Sequence, residues 1–167
     1  MSSPTRPAVV RVQPPKAPYR VVNRVMTWLL GSPRRARGVG QELMLLHLTG
    51  RKSGRALDFP VAYRLQPDGR LQVLTSSPWR VNLRGRPDVE VTLLGVRRPA
   101  TAELVEDPDA VATIYGGRIE EVGYRKAGRR MGIRITVPRS PTHAELVEAV
   151  RRESLAVVLF TVQEPGL

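Results

Sequence analysis

The sequence predicts an α+β protein in which a small antiparallel β-sheet or barrel carries packed helices. With 167 residues, of which 41% are hydrophobic and 25% charged, the chain is long enough for one globular domain with its own core. Five or six short segments show strand-like alternation or apolar runs, with turn signals between them. These segments do not alternate regularly with helices, which argues against a parallel, doubly wound sheet.

The N-terminal region separates into an arm and an amphipathic helix. Residues 1–18 contain five prolines and no helical period, so they are predicted to form a mobile or extended arm before a single domain over 19–167. Residues 19–30 carry apolar side chains at helical spacing. Gly31 and Pro33 are expected to end this helix, because glycine permits a left-handed cap and proline disfavours continuation.

The middle of the chain is predicted to supply most of the sheet. The apolar segment 43–48 is a candidate buried strand. The segment 57–65 alternates, and Tyr63 within it is expected to be a core residue whose hydroxyl finds one partner. The remaining predicted elements here are strands at 71–75, 89–94 and 97–105 and a short helix at 79–84.

The last third is predicted to be mainly helical and to end in a strand. Helices are expected over 109–114 and 118–131. Thr142 and Glu145 have the spacing of a capping box that starts a further helix. The apolar run at 155–162 predicts the final strand.

The charge of the chain indicates an anionic partner. Basic residues number 27 against 15 acidic ones, which gives a net charge of +12, and 24 of the 27 are arginine. Because arginine favours bidentate recognition of phosphate and carboxylate, an anionic cofactor, a membrane surface or a nucleic acid is the expected partner. Specific nucleic-acid binding is not expected, since aromatic residues make up only 5% and no known nucleic-acid-binding module is visible.

The residue types that are scarce disfavour several kinds of site. The sequence has no cysteine, which excludes disulfides, thiolate nucleophiles and iron–sulfur clusters and fits a reducing cytoplasm. No metal site is expected, because His47 and His143 are the only imidazoles. His47 is interpreted as a satisfied core or interface histidine, with a proton donor as the alternative, and His143 as an exposed residue in the first turn of a helix. No apolar run reaches the roughly 18 residues of a membrane span.

The most informative stretch is the loop between the first two strands of the middle region, which reads Thr-Gly-Arg-Lys-Ser-Gly-Arg over 49–55. Its glycines allow the backbone to approach a ligand, and Arg51, Lys52 and Arg55 would add charge-assisted bonds to an anion. The loop lacks the Gly-Lys-Ser/Thr order of a phosphate-binding P-loop. A solvated basic hairpin turn is the alternative interpretation.

A second stretch, residues 76–84, runs from a strand end into a short helix. The start of that helix could offer free N–H groups to an anion. Trp79 could stack on a flat ring, or it could hold the helix in place through hydrophobic contacts.

Together these stretches resemble the deazaflavin-dependent nitroreductase and quinone reductase family, whose members form split β-barrels. The family pattern occurs in the same order over about residues 43–106. In this sequence it reads Leu48-Thr49-Gly50-Arg51-Lys52-Ser53-Gly54-Arg55, Phe59-Pro60-Val61, Trp79-x-x-Asn82-Leu83-Arg84 and Pro87-Asp88-Val89-Glu90-Val91.

The resemblance implies an oxidoreductase that passes a hydride from a reduced F420-type deazaflavin to a quinone, enone or nitroaromatic acceptor, with FMN as the alternative coenzyme. In relatives the Gly-Arg-Lys-Ser-Gly turn holds the anionic portion of the coenzyme. The backbone near residues 60–62 and the strand end near 75–77 would flank the ring. The coenzyme-binding residues that the resemblance implies are Arg51, Lys52, Ser53, Gly54, Arg55, Pro60, Val61, Ala62, Thr75, Ser76, Ser77, Trp79 and Asn82. No catalytic residue is assigned.

Other functions remain open at this stage. The short Ser76–Pro78 connection and Arg80 motivate a cofactor-free relative that acts as an isomerase or cyclase on a natural product. Residues 19–37 could instead lie on an anionic membrane, or the helix could cover the barrel with Trp28 as its hydrophobic contact. A homodimer and a cytoplasmic location, with or without attachment to the inner membrane face, are also expected.

Overall fold

The computed structural model describes residues 5–12, 16–38 and 40–164. The strands are β1 Val9–Arg11, β2 Leu43–Thr49, β3 Ala56–Ala62, β4 Arg64–Leu65, β5 Leu71–Thr75, β6 Asp88–Leu93, β7 Val96–Val105, β8 Ile133–Ile135 and β9 Ala156–Val162. The α-helices are α1 Lys16–Leu30, α2 Pro33–Ala36, α3 Pro108–Val122, α4 Tyr124–Met131 and α5 His143–Glu153, and Pro78–Leu83 form a 3₁₀ helix.

Seven of the strands form one sheet in the order β3-β2-β6-β7-β9-β5-β4. The β2–β3, β2–β6, β6–β7 and β4–β5 pairs are antiparallel. The first and last strands in the order, β3 and β4, are separated only by Tyr63, so the sheet is curled. The predicted α+β class with a curled antiparallel sheet is therefore confirmed.

The described residues divide into two compact units. The sheet unit comprises the described residues of 14–73, 77–104 and 158–167, and the helical unit those of 1–13, 74–76 and 105–157. Strands β1 and β8 of the helical unit form a separate two-stranded antiparallel sheet. The sequence predicts an arm where β1 lies and gives no signal for β8.

The core of the sheet unit lies on one face of its strands. Alternate residues of β2 point to this face, and Met44 and Leu46 are fully buried there together with Val91 of β6. Leu45, on the opposite face of β2, packs against Leu30 at the end of α1 and Ala36 of α2. Because successive residues of a strand point to opposite faces, β2 contributes apolar side chains to the packing on both sides of the sheet.

Two predicted elements are divided by single backbone features. The predicted strand 57–65 is interrupted at Tyr63, whose N–H donates to the Glu42 carbonyl at 2.9 Å. The Tyr63 hydroxyl donates to the Gly40 carbonyl at 2.8 Å, which confirms the predicted single partner, and burial raises the pKa of this phenol. The predicted helix 118–131 is divided at Gly123, whose φ of +81° ends α3.

Two helices of the helical unit, α3 and α5, begin close to where the sequence predicts. The Asp107 side chain accepts from the Ala110 N–H and caps α3. At α5 the capping box is confirmed: the Thr142 hydroxyl accepts from the Glu145 N–H, and the Glu145 carboxylate accepts from the Thr142 N–H. Among the helices that the structure describes, none is both long and apolar enough to span a bilayer.

Candidate functional site

The loop at 50–55 is the connection of a β-hairpin, because Thr49 of β2 pairs with Ala56 of β3. The Gly50 N–H donates to the Arg55 carbonyl at 2.8 Å, and the Gly54 N–H donates to the Gly50 carbonyl at 2.9 Å. Gly54 has a φ of +66° and open space where a Cβ would lie, whereas a Cβ at Gly50 would lie 2.5 Å from the Ser53 Oγ. Both glycines are thus required by the shape of the loop. We refer to residues 50–55 as the cationic turn.

The cations of this turn are free to meet a ligand. Arg51, Lys52 and Arg55 are all exposed, and none of them takes part in an ion pair in the described part of the chain. The Ser53 hydroxyl accepts from the Arg55 N–H at 3.3 Å. Because four of the six turn amides are used internally, anion binding here depends on the side chains and on the amides of residues 52 and 53.

Asn82 connects the cationic turn to the 3₁₀ helix. Its Oδ1 accepts from the Arg51 N–H at 2.8 Å, and its Nδ2 donates to the Trp79 carbonyl at 2.9 Å. Both polar groups of the side chain are therefore occupied. The structure brings Asn82 to the turn, as the family pattern implies, but as a support for the turn backbone.

The remaining predicted site residues of the sheet unit lie on β3, in the 3₁₀ helix and at the residue that precedes this helix. The Trp79 ring stacks on Phe59, with ring centroids 6.3 Å apart, and packs against the sheet core. Val61 is buried in the core of the sheet unit. Pro60 and Ala62 lie on the opposite face of β3 from Val61, and the Ser77 carbonyl accepts from Arg80 Nη1 at 3.0 Å.

Two predicted site residues belong to the helical unit. Thr75 ends β5 and is buried, and the Ser76 carbonyl accepts from Arg11 Nη1 at 3.5 Å. The tyrosines of this unit differ from one another: Tyr115 is fully buried in α3, while Tyr124 is partly buried and its hydroxyl accepts from Arg125 Nε. His143 is exposed, as predicted, and pairs with Asp109 at 3.1 Å.

A cavity of about 710 Å³ lies beside the cationic turn in the sheet unit, and sequence reasoning missed it. Its floor contains His47, whose Nδ1 is 2.7 Å from Asp58 Oδ1 and whose Nε2 is 2.7 Å from Thr92 Oγ1. The prediction that His47 is a satisfied histidine is confirmed. The charged and amide side chains that line the cavity are His47, Asp58, Asn82, Arg86, Asp88, Glu90 and Arg97.

The polar floor of the cavity follows from strand register. His47 is directly opposite Asp58 on β3 and Glu90 on β6, so the imidazole lies in a row between two carboxylates. Arg97 Nε donates to Glu90 Oε2 at 2.7 Å. This bond and the Arg97 charge, with a smaller contribution from His47, lower the pKa of the Glu90 carboxyl. The period-two pattern Asp88-x-Glu90-x-Thr92 was the available sequence signal for this face.

Within the described ranges 5–12, 16–38 and 40–164, no group of three or more His, Asp or Glu side chains is arranged to hold a metal ion.

Comparison with known proteins gives one family match. The sequence model of the F420H(2)-dependent quinone reductase family matches residues 22–154. No curated protein sequence matches the chain.

Several solved structures are similar in fold. An F420-H2 dependent reductase, FDR-A, is 18% identical, with 72% of this chain and 95% of that chain covered and a TM-score of 0.42. A pyridoxamine 5'-phosphate oxidase-related, FMN binding protein from Nostoc punctiforme is 14% identical, with 89% and 83% covered and a TM-score of 0.47. A structure described as a domain-swapped dimer is 16% identical, with 87% and 100% covered and a TM-score of 0.45.

Proposed function

The chain belongs to the F420H(2)-dependent quinone reductase family, and from that premise we propose that it reduces a quinone, enone or nitroaromatic acceptor with F420 as the hydride source. When bound, the coenzyme supplies the hydride, and the protein orients the two reactants and excludes water. The family assignment establishes an F420-dependent oxidoreductase. The acceptor class and the residues that bind each reactant are what we propose beyond that assignment.

The chemistry of the cationic turn fits the anionic end of this coenzyme. F420 carries a phosphate and an acidic glutamyl tail, and the turn presents Arg51, Lys52 and Arg55 without a carboxylate partner among the described residues. Unpaired exposed cations gain most from an anionic ligand, because no internal ion pair has to be broken. This observation carries the proposal that the turn holds the phosphate and tail.

The deazaflavin ring would then lie farther along β3, beside the backbone of residues 60–62. Proline at position 60 offers no N–H to a neighbouring strand, and the small Ala62 leaves space on the same face of the strand. Ser77 of the sheet unit is proposed as a further ring contact on the basis of the family resemblance alone.

Coenzyme binding by a charge-neutralised variant tests the proposal. In Arg51→Gln/Lys52→Gln, loss of two charge-assisted bonds of about 1.5–3 kcal/mol each should weaken F420 binding by at least about 100-fold. The matched control is Lys126→Gln/Arg130→Gln, which removes the same residue types from exposed positions on α4. Fluorescence titration with F420, and with FMN as the competing coenzyme, measures both variants. Equal affinities for the two double variants would contradict the proposal, and tighter binding of FMN would replace F420 by FMN.

A second function, binding to an anionic membrane surface, is favoured by the exposed end of α1. Val25 and Trp28 are 50% and 60% exposed, so of the two alternatives left open for this helix, the one with Trp28 as its contact on the barrel is wrong. The Arg35 guanidinium lies 4.3 Å above the Trp28 ring, and Arg34 and Arg37 are exposed nearby in sequence. An aromatic ring among arginines suits a membrane interface.

Vesicle sedimentation tests the membrane proposal. The unmodified protein should bind vesicles of mixed phosphatidylglycerol and phosphatidylcholine, and Trp28→Ser should reduce that binding because a large apolar group is lost. Vesicles of phosphatidylcholine alone are the control. Equal binding of both proteins to both vesicle types would contradict the proposal. Sedimentation velocity of the protein without vesicles tests the homodimer that the sequence analysis expects.

A further inference from the structure

The cavity beside the cationic turn contains a titratable pair that the proposed binding of the coenzyme tail does not use. His47 is only 10% exposed, whereas the Asp58 side chain is 50% exposed and lines the cavity. The two residues lie directly opposite each other on β2 and β3. An imidazole with little exposure is therefore hydrogen-bonded to a carboxylate that solvent and ligands can reach.

Hydrogen-bond chemistry fixes where the protons of this pair lie. An ionised carboxylate only accepts, so Nδ1 of His47 carries the hydrogen directed at Asp58 Oδ1. In the neutral imidazole, Nε2 then accepts from the Thr92 hydroxyl, and in the imidazolium it donates to the same oxygen. The Thr92 hydroxyl can therefore pair with Nε2 whether that nitrogen accepts or donates.

The charges that face this pair restrict the ligand. Glu90 of β6 lies opposite His47 and is paired with Arg97 of β7, while Asp88 and Arg86 also line the cavity. Three carboxylates thus oppose two guanidinium groups and one imidazole, so the cavity is nearly neutral. A phosphate or glutamyl tail would meet repulsion from the carboxylates that it does not meet at the cationic turn.

We propose that this cavity is the acceptor site, that it takes a neutral quinone, and that the His47–Asp58 pair supplies the proton that the quinone oxygen needs. The assignment rests on the proposed function. The volume of about 710 Å³ is sufficient for a two-ring quinone, since small-molecule sites range over about 300–1,000 Å³. The Arg86 guanidinium, which has no ion-pair partner among the described residues, is available to the second quinone oxygen.

The proton and electron balance is closed by the two reactants and water. Hydride transfer breaks one C–H bond of the reduced coenzyme and delivers two electrons and one hydrogen to the quinone. The quinone oxygen that becomes negative takes one proton from the protonated pair: the Nδ1 proton of the His47 imidazolium passes to Asp58 Oδ1 and from there to the quinone, which leaves a neutral imidazole whose Nε2–H donates to the Thr92 hydroxyl. Solvent then returns one proton to the pair, which balances the ring N–H proton that the coenzyme releases to solvent on oxidation, so that the products are a hydroquinone and the oxidised coenzyme.

Binding of a neutral quinone without coenzyme tests the site itself. We expect menadione, titrated into the coenzyme-free protein, to shift the NMR signal of the His47 imidazole saturably, while the signal of exposed His143 serves as the internal reference. Menadione that shifts neither imidazole, or both equally, would overturn the acceptor site. This readout does not depend on F420, so it decides the inference even if the protein does not bind F420.

Turnover by Asp58→Asn tests the proton transfer. An asparagine keeps the size of the side chain but has no titratable proton, so single-turnover reduction of menadione should slow by about 100-fold or more and lose its decrease with rising pH. F420 affinity should stay within about twofold. The matched control is Asp68→Asn, an exposed aspartate of the same unit bonded to Arg70. An unchanged pH profile in Asp58→Asn would overturn the proton assignment, whereas failure of the unmodified protein to bind F420 would overturn the proposed function instead.

Discussion

The cationic turn and the cavity beside it are built from the same two strands but treat charge in opposite ways. In the turn, Arg51, Lys52 and Arg55 are exposed and have no ion-pair partner among the described residues. In the cavity, by contrast, His47 and Glu90 are each held by a neighbouring side chain at 2.7 Å. The turn therefore keeps its capacity to bind an anion, while the cavity keeps its groups oriented and nearly neutral.

In the function that we propose, this difference places the coenzyme tail at the turn and the acceptor in the cavity. A polyanionic coenzyme tail gains most where cations are unpaired. A neutral acceptor gains most where hydrogen-bonding groups are already oriented and net charge is small. Asn82 belongs to both regions, since it supports the turn backbone and lines the cavity.

Raising the salt concentration should produce the largest difference between ligand binding at the cationic turn and ligand binding in the cavity. Raising KCl from 50 to 500 mM should weaken F420 binding by about 10- to 100-fold, because exposed charges are screened within a few ångströms at high ionic strength. Menadione binding should change by less than about twofold. Parallel titrations across the salt series measure both affinities, and an equal salt dependence of the two ligands would remove the contrast.

Loss of the Asn82 side chain should produce a smaller effect. Asn82→Ala removes the acceptor for the Arg51 N–H and the donor to the Trp79 carbonyl, so the turn loses its support. We expect F420 affinity to fall by about tenfold and the free energy of unfolding by about 1–2 kcal/mol. Asn82→Asp retains the acceptor and should recover the stability that depends on the Arg51 bond. An unchanged affinity in Asn82→Ala would show that the turn needs no support.

The helical unit offers a control in which stability changes and binding does not. Thr142→Ala removes the cap of α5, which should cost about 1 kcal/mol and lower the melting temperature by about 2–4 °C. F420 and menadione affinities should stay unchanged. A parallel loss of affinity would mean that binding follows global stability, and the contrast between the turn and the cavity would then have another cause.

The same cap gives a small and directional pH effect. Hydrogen bonds from Arg139 and from the Thr142 N–H lower the pKa of Glu145 from 4.5 to about 2. Because the folded-state pKa is lowered, this stabilisation is present above about pH 4.5 and is lost as the pH falls towards 2. Arg139→Gln should therefore lower the melting temperature at pH 7, and the difference from the unmodified protein should disappear near pH 2. A difference that persists at pH 2 would contradict the assignment.

Local patterns were sufficient to predict most of the fold. Apolar runs and strand-like alternation predicted β2, β5, β6 and β7 to within a residue or two. The spacing of Thr142 and Glu145 predicted the start of α5. The missed features depend on single backbone contacts. The break at Tyr63 comes from a bond to Glu42, which is distant in sequence.

The candidate site was only half predictable for a similar reason. The cationic turn is contiguous in sequence, so its residues could be recognised together. The cavity is assembled from β2, β3, β6 and β7, and the proximity of His47, Asp58 and Glu90 depends on strand register. Trp28 is exposed despite its large apolar ring, because Leu30 and not Trp28 packs on β2.

We expect the cationic turn to recognise the tail of the coenzyme and not its ring. The direct measurement compares the affinities of F420 and of the same deazaflavin without phosphate and glutamyl tail, in the unmodified protein and in Arg51→Gln/Lys52→Gln. The unmodified protein should prefer F420 by at least about 100-fold, and the variant should lose most of that preference while binding the tail-less compound equally well. The same preference for F420 in both proteins would contradict recognition of the tail by the cationic turn.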